Sequence, residues 1–349
     1  MVARPDAGGP VRIGARTSPL ARVQADHVAA LLAAQGVEST FVGVTTIGDV
    51  DRRELTVIGG TGIFVGAVRE ALWSDVIDVA VHSLKDLPTA AVEGLEVVAV
   101  PPREDTRDVL IGQHLDGLRD GMRIGTGAPR RALQLVELAA RRGLALEIVA
   151  VRGNVDTRLG LVRNGTVDAV VLAAAGLVRL GHLELDGGST RTTVTDLPAE
   201  VLDTAVMLPA PGQGALALEV STALDPETAP AIRRLDDPVA HAEALVERGF
   251  LAALEAGCTA PVGARAVVKS VRGTSVDLTL TAVIGRTLLN TSTEPAASGP
   301  PLRLELEGTT SDPRRFGVDA AGEVLSELNH HPALARPGET EPEIVRISQ

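Results

Sequence analysis

The chain is predicted to be an α/β protein of two doubly wound lobes followed by a smaller α+β domain, and three observations predict it. Short apolar strands alternate with amphipathic helical stretches through residues 11–220, the pattern of a sheet covered on both faces. The pattern is stated twice: Arg123-Ile124-Gly125 echoes Arg12-Ile13-Gly14, and Asp168-Ala169-Val170-Val171-Leu172 echoes Asp78-Val79-Ala80-Val81-His82. Beyond Pro230 the period changes, and stretches such as Val276 to Val283 alternate in the manner of antiparallel strands. A chain of 349 residues has room for two or three domains with real cores.

Val11 to Gly14 reads as a short strand that turns into a helix at Ser18-Pro19, where serine caps and proline fits the first helical position. Leu20, Val23, Val28 and Leu31 recur at helical spacing, and Gly36 closes that helix. A second helix is expected from Phe64 to Trp73, with Phe64, Ala67, Val68, Ala71 and Leu72 on one face, and Asp78 to Val81 follows as a buried strand. This alternation implies a mostly parallel sheet. In the second copy Pro129 and Gln134 stand almost as Pro19 and Gln24 do, and two similar lobes facing one cleft would follow. The third region begins after the turn cluster Asp225 to Pro230. It comprises a helix over Pro238 to Leu254, strands at Val276 to Val283 and Leu302 to Leu306, a surface loop at Pro295 to Pro301, a last helix at Phe316 to Leu328, and a disordered polar tail after Ala335.

Composition excludes whole classes of function. The net charge of -12 argues against a general nucleic-acid binder, whose affinity comes largely from neutralising phosphates, and the absence of tyrosine removes stacking platforms as well. Met1 to Pro10 has no apolar signal core, and the longest apolar run, Ala169 to Val178, is too short to span a bilayer, so a cytoplasmic protein without a membrane partner is expected. Lys85 and Lys269 are the only lysines, so nearly all positive charge is arginine.

Those arginines cluster where strands are expected to end: Arg16, Arg130, Arg131, Arg152 and, within helices, Arg158 and Arg179. In open α/β sheets that edge is the ligand crevice, and guanidinium groups beside helix N-termini make strong anion sites. Each alone reads as a solvated surface charge; six at equivalent places point to a multiply anionic ligand. Gly59-Gly60-Thr61-Gly62 lacks the ending of a phosphate loop, and Gly212-Gln213-Gly214 lies outside any strand-helix-strand unit, so polycarboxylates fit better than phosphates. The segment His82-Ser83-Leu84-Lys85-Asp86 leaves the second strand chemically dense. Lys85 and Asp86 read either as a plain ion pair or as reactive groups, where a carboxylate could stabilise a developing cation or pass a proton to a leaving amine. Cys258, the only cysteine, sits in the turn-rich Glu255 to Gly263 and reads either as a small buried hydrophobe or as a reactive thiol on a loop. No metal site is expected, since one thiol with His241 as its closest histidine in sequence does not make a ligand set.

Several long motifs in unbroken order from Val11 to Gly263 then match one family. Arg12 to Ala21, His82 to Pro88, Arg152-Gly153-Asn154-Val155-Asp156-Thr157-Arg158, Pro209 to Gly214 and the Cys258 turn together closely resemble porphobilinogen deaminase, also called hydroxymethylbilane synthase. The resemblance implies a transferase of porphyrin and haem biosynthesis. Such an enzyme joins four porphobilinogen units head to tail with loss of ammonia, on a dipyrromethane cofactor held by thioether to the residue matching Cys258, and releases the linear tetrapyrrole by hydrolysis. It implies that Asp86, with Lys85, carries the catalysis, Asp86 stabilising the azafulvene-like cation. Arg130, Arg131, Arg152, Arg158, Ser83, Lys85 and Asp86 would hold the cofactor, and Arg16, Ser18, Gln24, Arg152, Arg158 and Arg179 the substrate.

The fold implied is two lobes like those of periplasmic binding proteins plus a cysteine-bearing domain. Residues 10–102 with 204–224 would form the first lobe, 103–203 the second and 225–349 the third domain, in a monomer whose small-molecule partner is porphobilinogen. Two sites depart from the commonest pattern: Val57 and Thr61 stand where many members have lysines, and Gly127-Ala128 replaces a frequent pair of serines. The competing reading is a non-catalytic two-lobed binding protein for small polycarboxylates. A cysteine hydrolase ranks last, for want of a histidine base near the thiol.

Overall fold

The structure is a computed structural model that describes residues 9–45, 62–185, 189–256, 260–285, 301–330 and 344–348. It resolves into two compact units, Met1–Glu104 with Ala215–His241, and Asp105–Gly214 with Ala242–Gln349. Val57, Thr61, Cys258 and the loop 295–300 lie outside the described residues.

The first unit is built on a five-stranded sheet of order β2-β1-β3-β11-β4. β1 (Val11–Arg16) runs parallel to β2 (Ser39–Val44) and β3 (Val79–Ser83), as expected. β11 (Leu216–Ser221) departs from the expected mostly parallel sheet, pairing antiparallel with both β3 and β4 (Leu95–Ala99). Its near-continuous burial explains why its direction was hidden: an apolar run in sequence records that both faces are covered and carries no information on polarity. Helix Pro19–Ala34 covers one face through Val28 and Leu32 against Ile13 and Val81, and helix Gly62–Trp73 covers the other through Val68 and Leu72 against Ile77 and Ala80.

The second unit repeats the plan. Its six-stranded sheet has the order β7-β6-β8-β5-β10-β9, in which β6 (Arg123–Thr126) is parallel to β7 (Glu147–Ala150) and β8 (Ala169–Ala173). β5 (Asp108–Ile111) is antiparallel to β8 and to β10 (Leu197–Val201), with β9 (Arg191–Val194) at the edge. Helices Pro129–Arg141, Val155–Arg163 and Ala174–Arg179 cover it.

The echoed motifs occupy the same place in each sheet. The Arg12 N–H donates to Asp78 Oδ2 at 2.8 Å and its guanidinium reaches Oδ1 at 2.7 Å; Arg123 does the same with Asp168 at 2.7 and 3.0 Å. Glycine follows in both because the strand lies against its neighbours. A Cβ on Gly14 would stand 2.2 Å from Ile77 Cδ1, and one on Gly125 would stand 3.0 Å from Val151 and Val170.

Also in the second unit, β12 (Val262–Arg272), β13 (Ser275–Ile284) and β14 (Leu302–Thr310) form an antiparallel sheet. Its apolar face packs on helices Pro238–Ala253 and Pro313–His330 through Val246, Phe250, Phe316 and Ala320. The tail expected to be disordered adds a fourth strand, β15 (Ile344–Ser348), parallel to β14. Ile344, Val345 and Ile347 are β-branched, and β14 offers them an open edge.

Candidate functional site

In the first lobe the strand ends gather one group of the expected residues. Arg16 closes β1 and is half-buried. Ser18 caps the helix behind it, accepting the Ala21 N–H at 3.4 Å and keeping its own O–H to give. Gln24, on that helix, is buried and donates its amide to Ser83 Oγ at 2.8 Å. Ser83 ends β3, and a single 3-10 turn, Leu84–Asp86, follows. The Leu84 N–H donates to Ala215 O at 3.0 Å, and Leu84 and Leu87 are both buried, so the turn has a fixed foot at each end. Between those feet Asp86 is exposed and Lys85 half-buried.

Beneath the turn lies a cluster that sequence reasoning missed. Glu219 on β11 receives the Arg69 guanidinium on both oxygens, at 2.8 and 3.0 Å, and His82 Nε2 at 3.1 Å. Burial pushes the Glu219 carboxyl up, but the hydrogen bonds from His82 and Arg69 outweigh it and hold its pKa at about 2. The available signal was an acid inside the apolar run Leu216-Ala217-Leu218-Glu219-Val220.

In the second lobe Arg152 is exposed just past β7. Gly153 follows at φ 111, a conformation only glycine adopts easily, and Asn154 caps the next helix by accepting the Thr157 N–H at 2.8 Å. That helix carries Arg158, half-buried, while Arg179 ends the helix after β8 and donates to Gly214 O at 2.7 Å. The replaced serines have a structural counterpart. A Cβ at 127 would meet the Val151 carbonyl oxygen at 2.6 Å, and Thr126 Oγ1 accepts the Ala128 N–H at 3.2 Å.

Arg130 and Arg131 stand apart from the other arginines. Both side chains turn inward to Asp108, which is wholly buried at the start of β5. Arg130 Nη1 donates to Asp108 Oδ2 at 2.6 Å and to Leu208 O at 2.9 Å, and its Nη2 donates to Asp108 Oδ1 at 3.2 Å and Gln213 Oε1 at 2.9 Å. Arg131 donates to Asp108 Oδ1 at 2.8 Å and Val171 O at 2.9 Å. Burial works against the Asp108 carboxylate, yet the two guanidiniums pull its pKa well below the usual carboxylate range. Asp108 and Gln213 were not among the expected site residues.

Residues 11–229 match the family model described as the porphobilinogen deaminase dipyromethane cofactor binding domain, and residues 241–295 match the porphobilinogen deaminase C-terminal domain. The chain belongs to the porphobilinogen deaminase family. Porphobilinogen deaminase 1 of Streptomyces coelicolor is 47% identical over 321 residues, covering 91% of this chain and 95% of that one. The porphobilinogen deaminase of Cutibacterium acnes is 42% identical over 332 residues at the same coverage. Among solved structures, a periplasmic substrate-binding protein of an ABC transporter from Coxiella burnetii is similar at 14% identity and a TM-score of 0.38, covering 66% of this chain and 94% of that one. Among the described residues no helix is long and apolar enough to cross a membrane.

A porphobilinogen deaminase holds a dipyrromethane, whose side chains are carboxylates, and the donors present suit such a group. They are guanidiniums at strand ends and first helical turns. The Nε of Arg131 is buried and meets no hydrogen-bond acceptor, an omission a ligand carboxylate oxygen would repair.

Proposed function

We propose that the chain is a hydroxymethylbilane synthase that condenses porphobilinogen head to tail, releasing ammonia at each step and finally freeing the linear tetrapyrrole by hydrolysis. The observation that carries this reading is the Leu84–Asp86 turn: an exposed carboxylate between two buried leucines, at the end of a buried strand. A carboxylate held that firmly can accept a pyrrole N–H and offset the positive charge that grows on porphobilinogen as its amine departs, without first reorganising. Asp86 has that role, with Lys85 beside it as a donor. The dipyrromethane, attached to Cys258, supplies the pyrrole end on which the chain grows.

Arg16, Arg152, Arg158 and Arg179 bind acetate and propionate side chains, because a guanidinium matches a carboxylate in both charge and shape. Ser18 and Ser83 add hydroxyl donors, and Gln24 acts through Ser83. Three sheets with separate cores support two lobes and a third domain; against the division 10–102 with 204–224, 103–203 and 225–349, Ala231, Ile232 and Leu235 join the first sheet's core and Met207 joins the second's. The acidic composition fits a cytoplasmic monomer with no nucleic-acid partner.

Incubating purified protein with porphobilinogen tests the reading. Substrate should disappear with equimolar ammonia and a linear tetrapyrrole should form, and Cys258→Ala should abolish both. Reversible binding with no consumption, unchanged by Cys258→Ala, would establish a polycarboxylate-binding protein instead.

A further inference from the structure

The last two residues of β3 are gripped from opposite faces. On the β1 side the ladder of β3 ends with Gly14 opposite Ala80, while on the β11 side it runs on through Val81, His82 and Ser83, which face Leu218, Ala217 and Leu216. Side chains alternate along a strand. Ser83 therefore takes the Gln24 amide at 2.8 Å on one face, and on the other His82 Nε2 meets Glu219 Oε2 at 3.1 Å. Arg69 fixes that carboxylate in turn, its Nε 3.0 Å from the same Oε2 and its Nη2 2.8 Å from Oε1. All three side chains of the cluster are buried.

Such a cluster contributes little to stability as a whole. A buried ion pair is costly to break, yet intact it is often worth no more than apolar side chains of the same shape, and β11 is otherwise apolar from Leu216 to Val220. What the cluster supplies is direction. The ionised Glu219 carboxylate only accepts hydrogen bonds, so the His82 proton on Nε2 points at it and the ring has one orientation. Asp86 follows in the turn whose feet, Leu84 and Leu87, are both buried. A shift of the strand end passes directly into that turn, and a reacting group displaced by more than about 0.5 Å loses its productive geometry.

We propose that His82 is a positioning residue for Asp86: held by Glu219 and Arg69 on one face of the sheet, as Ser83 is held by Gln24 on the other, it sets where the Leu84–Asp86 turn presents its carboxylate. The assignment rests on the reading of Asp86 as the group that offsets the growing positive charge. It gives Glu219 and Arg69, which lie beneath the turn, a part in the reaction, and that part is an effect on kcat and not on substrate affinity.

Turnover of porphobilinogen, resolved into kcat and KM, tests the assignment, with melting temperature as a separate readout of folding. His82→Leu keeps the bulk and leaves Glu219 its Arg69 bonds but removes the Nε2 donor; kcat should fall about tenfold, the worth of one buried hydrogen bond, with KM unchanged. His82→Gln, which again offers an N–H donor, should restore kcat to within about threefold of wild type. Glu219→Gln still offers His82 an amide oxygen, so it should lower the melting temperature while its folded fraction keeps most of kcat. In an Asp86→Ala background His82→Leu should have no further effect, because residues that act through one group are not additive. A wild-type kcat for His82→Leu, the same fall with and without Asp86, or a kcat that follows melting temperature across the set overturns the assignment. Asp86→Ala turning over like wild type overturns the reading of Asp86 itself, and the assignment with it.

Discussion

In the first lobe Arg12 closes on Asp78, and in the second Arg123 closes on Asp168 with the same backbone and guanidinium bonds. Around that shared frame the two lobes place their buried acids at different rungs. Glu219 pairs across from Ala80 in the first sheet and draws on Arg69 and His82, which leaves the strand-end groups Arg16, Lys85 and Asp86 at or near the surface. Asp108 pairs across from Ala173 at the strand end itself and draws in Arg130 and Arg131, the residues that open the neighbouring helix. The same architecture thus gives one lobe an exposed turn beside a paired charge cluster, and the other a buried cluster in which two guanidiniums share one carboxylate. Under the proposed function, the first lobe's exposed carboxylate would carry the chemistry and the second lobe's arginines would add carboxylate binding.

The sharpest way to break that contrast is Asp86→Ala. Turnover of porphobilinogen should fall by about 100-fold or more, within the range for loss of a charge-handling catalytic group, while the two-pyrrole mass stays in place. Arg158→Ala should instead act mainly by raising KM; if it lowers kcat as much as Asp86→Ala does, the division of labour is wrong.

Glu219 offers the next largest effect. A folded-state pKa of about 2 lies below its unfolded value, so its contribution is complete above about pH 5 and disappears as pH falls towards 2. Denaturant unfolding across that range should show a gap of roughly 3 kcal/mol between wild type and Glu219→Gln that closes on acidification. A gap independent of pH would mean that Glu219 is held by shape and not by charge.

The echoed pairs should differ in worth despite their matching bonds. Asp78 is almost wholly buried, whereas the Asp168 side chain is 34% exposed. Arg12→Ala should therefore cost about 2 kcal/mol or more, and Arg123→Ala distinctly less. Equal losses by thermal or denaturant unfolding would show that the exposed pair is not screened as supposed. The smallest effect concerns the helix starts: Ser18 caps the first helix, while Ala128 offers the second no side-chain cap. Ala128→Ser should raise stability by up to about 1 kcal/mol, and no gain would mean that Thr126 already satisfies that turn.

Local chemistry made much of this legible in the sequence. Pro19 and Pro129 mark the observed helix starts because proline fits the first turn, and the repeated Arg-Ile-Gly marks matching strands because its arginine reaches an aspartate that recurs in both copies. Strand direction was hidden in β11 and β5, since burial on both faces gives these antiparallel strands the continuous apolar run that a parallel sheet shows. The fate of Arg130 was hidden for a different reason. Its partner Asp108 lies 22 residues upstream and its other partner Gln213 lies 83 downstream, so only the folded chain distinguishes it from Arg16 or Arg152. A signal did exist: Asp108 opens the wholly buried strand Asp108-Val109-Leu110-Ile111, and an acid in such a place requires cations.

Intact mass of the freshly purified protein tests the central claim most directly. Wild type should carry an addition of two pyrrole units that Cys258→Ala lacks, and incubation with porphobilinogen should extend that addition by further pyrrole units. A wild type of unmodified mass that porphobilinogen cannot load would contradict the account.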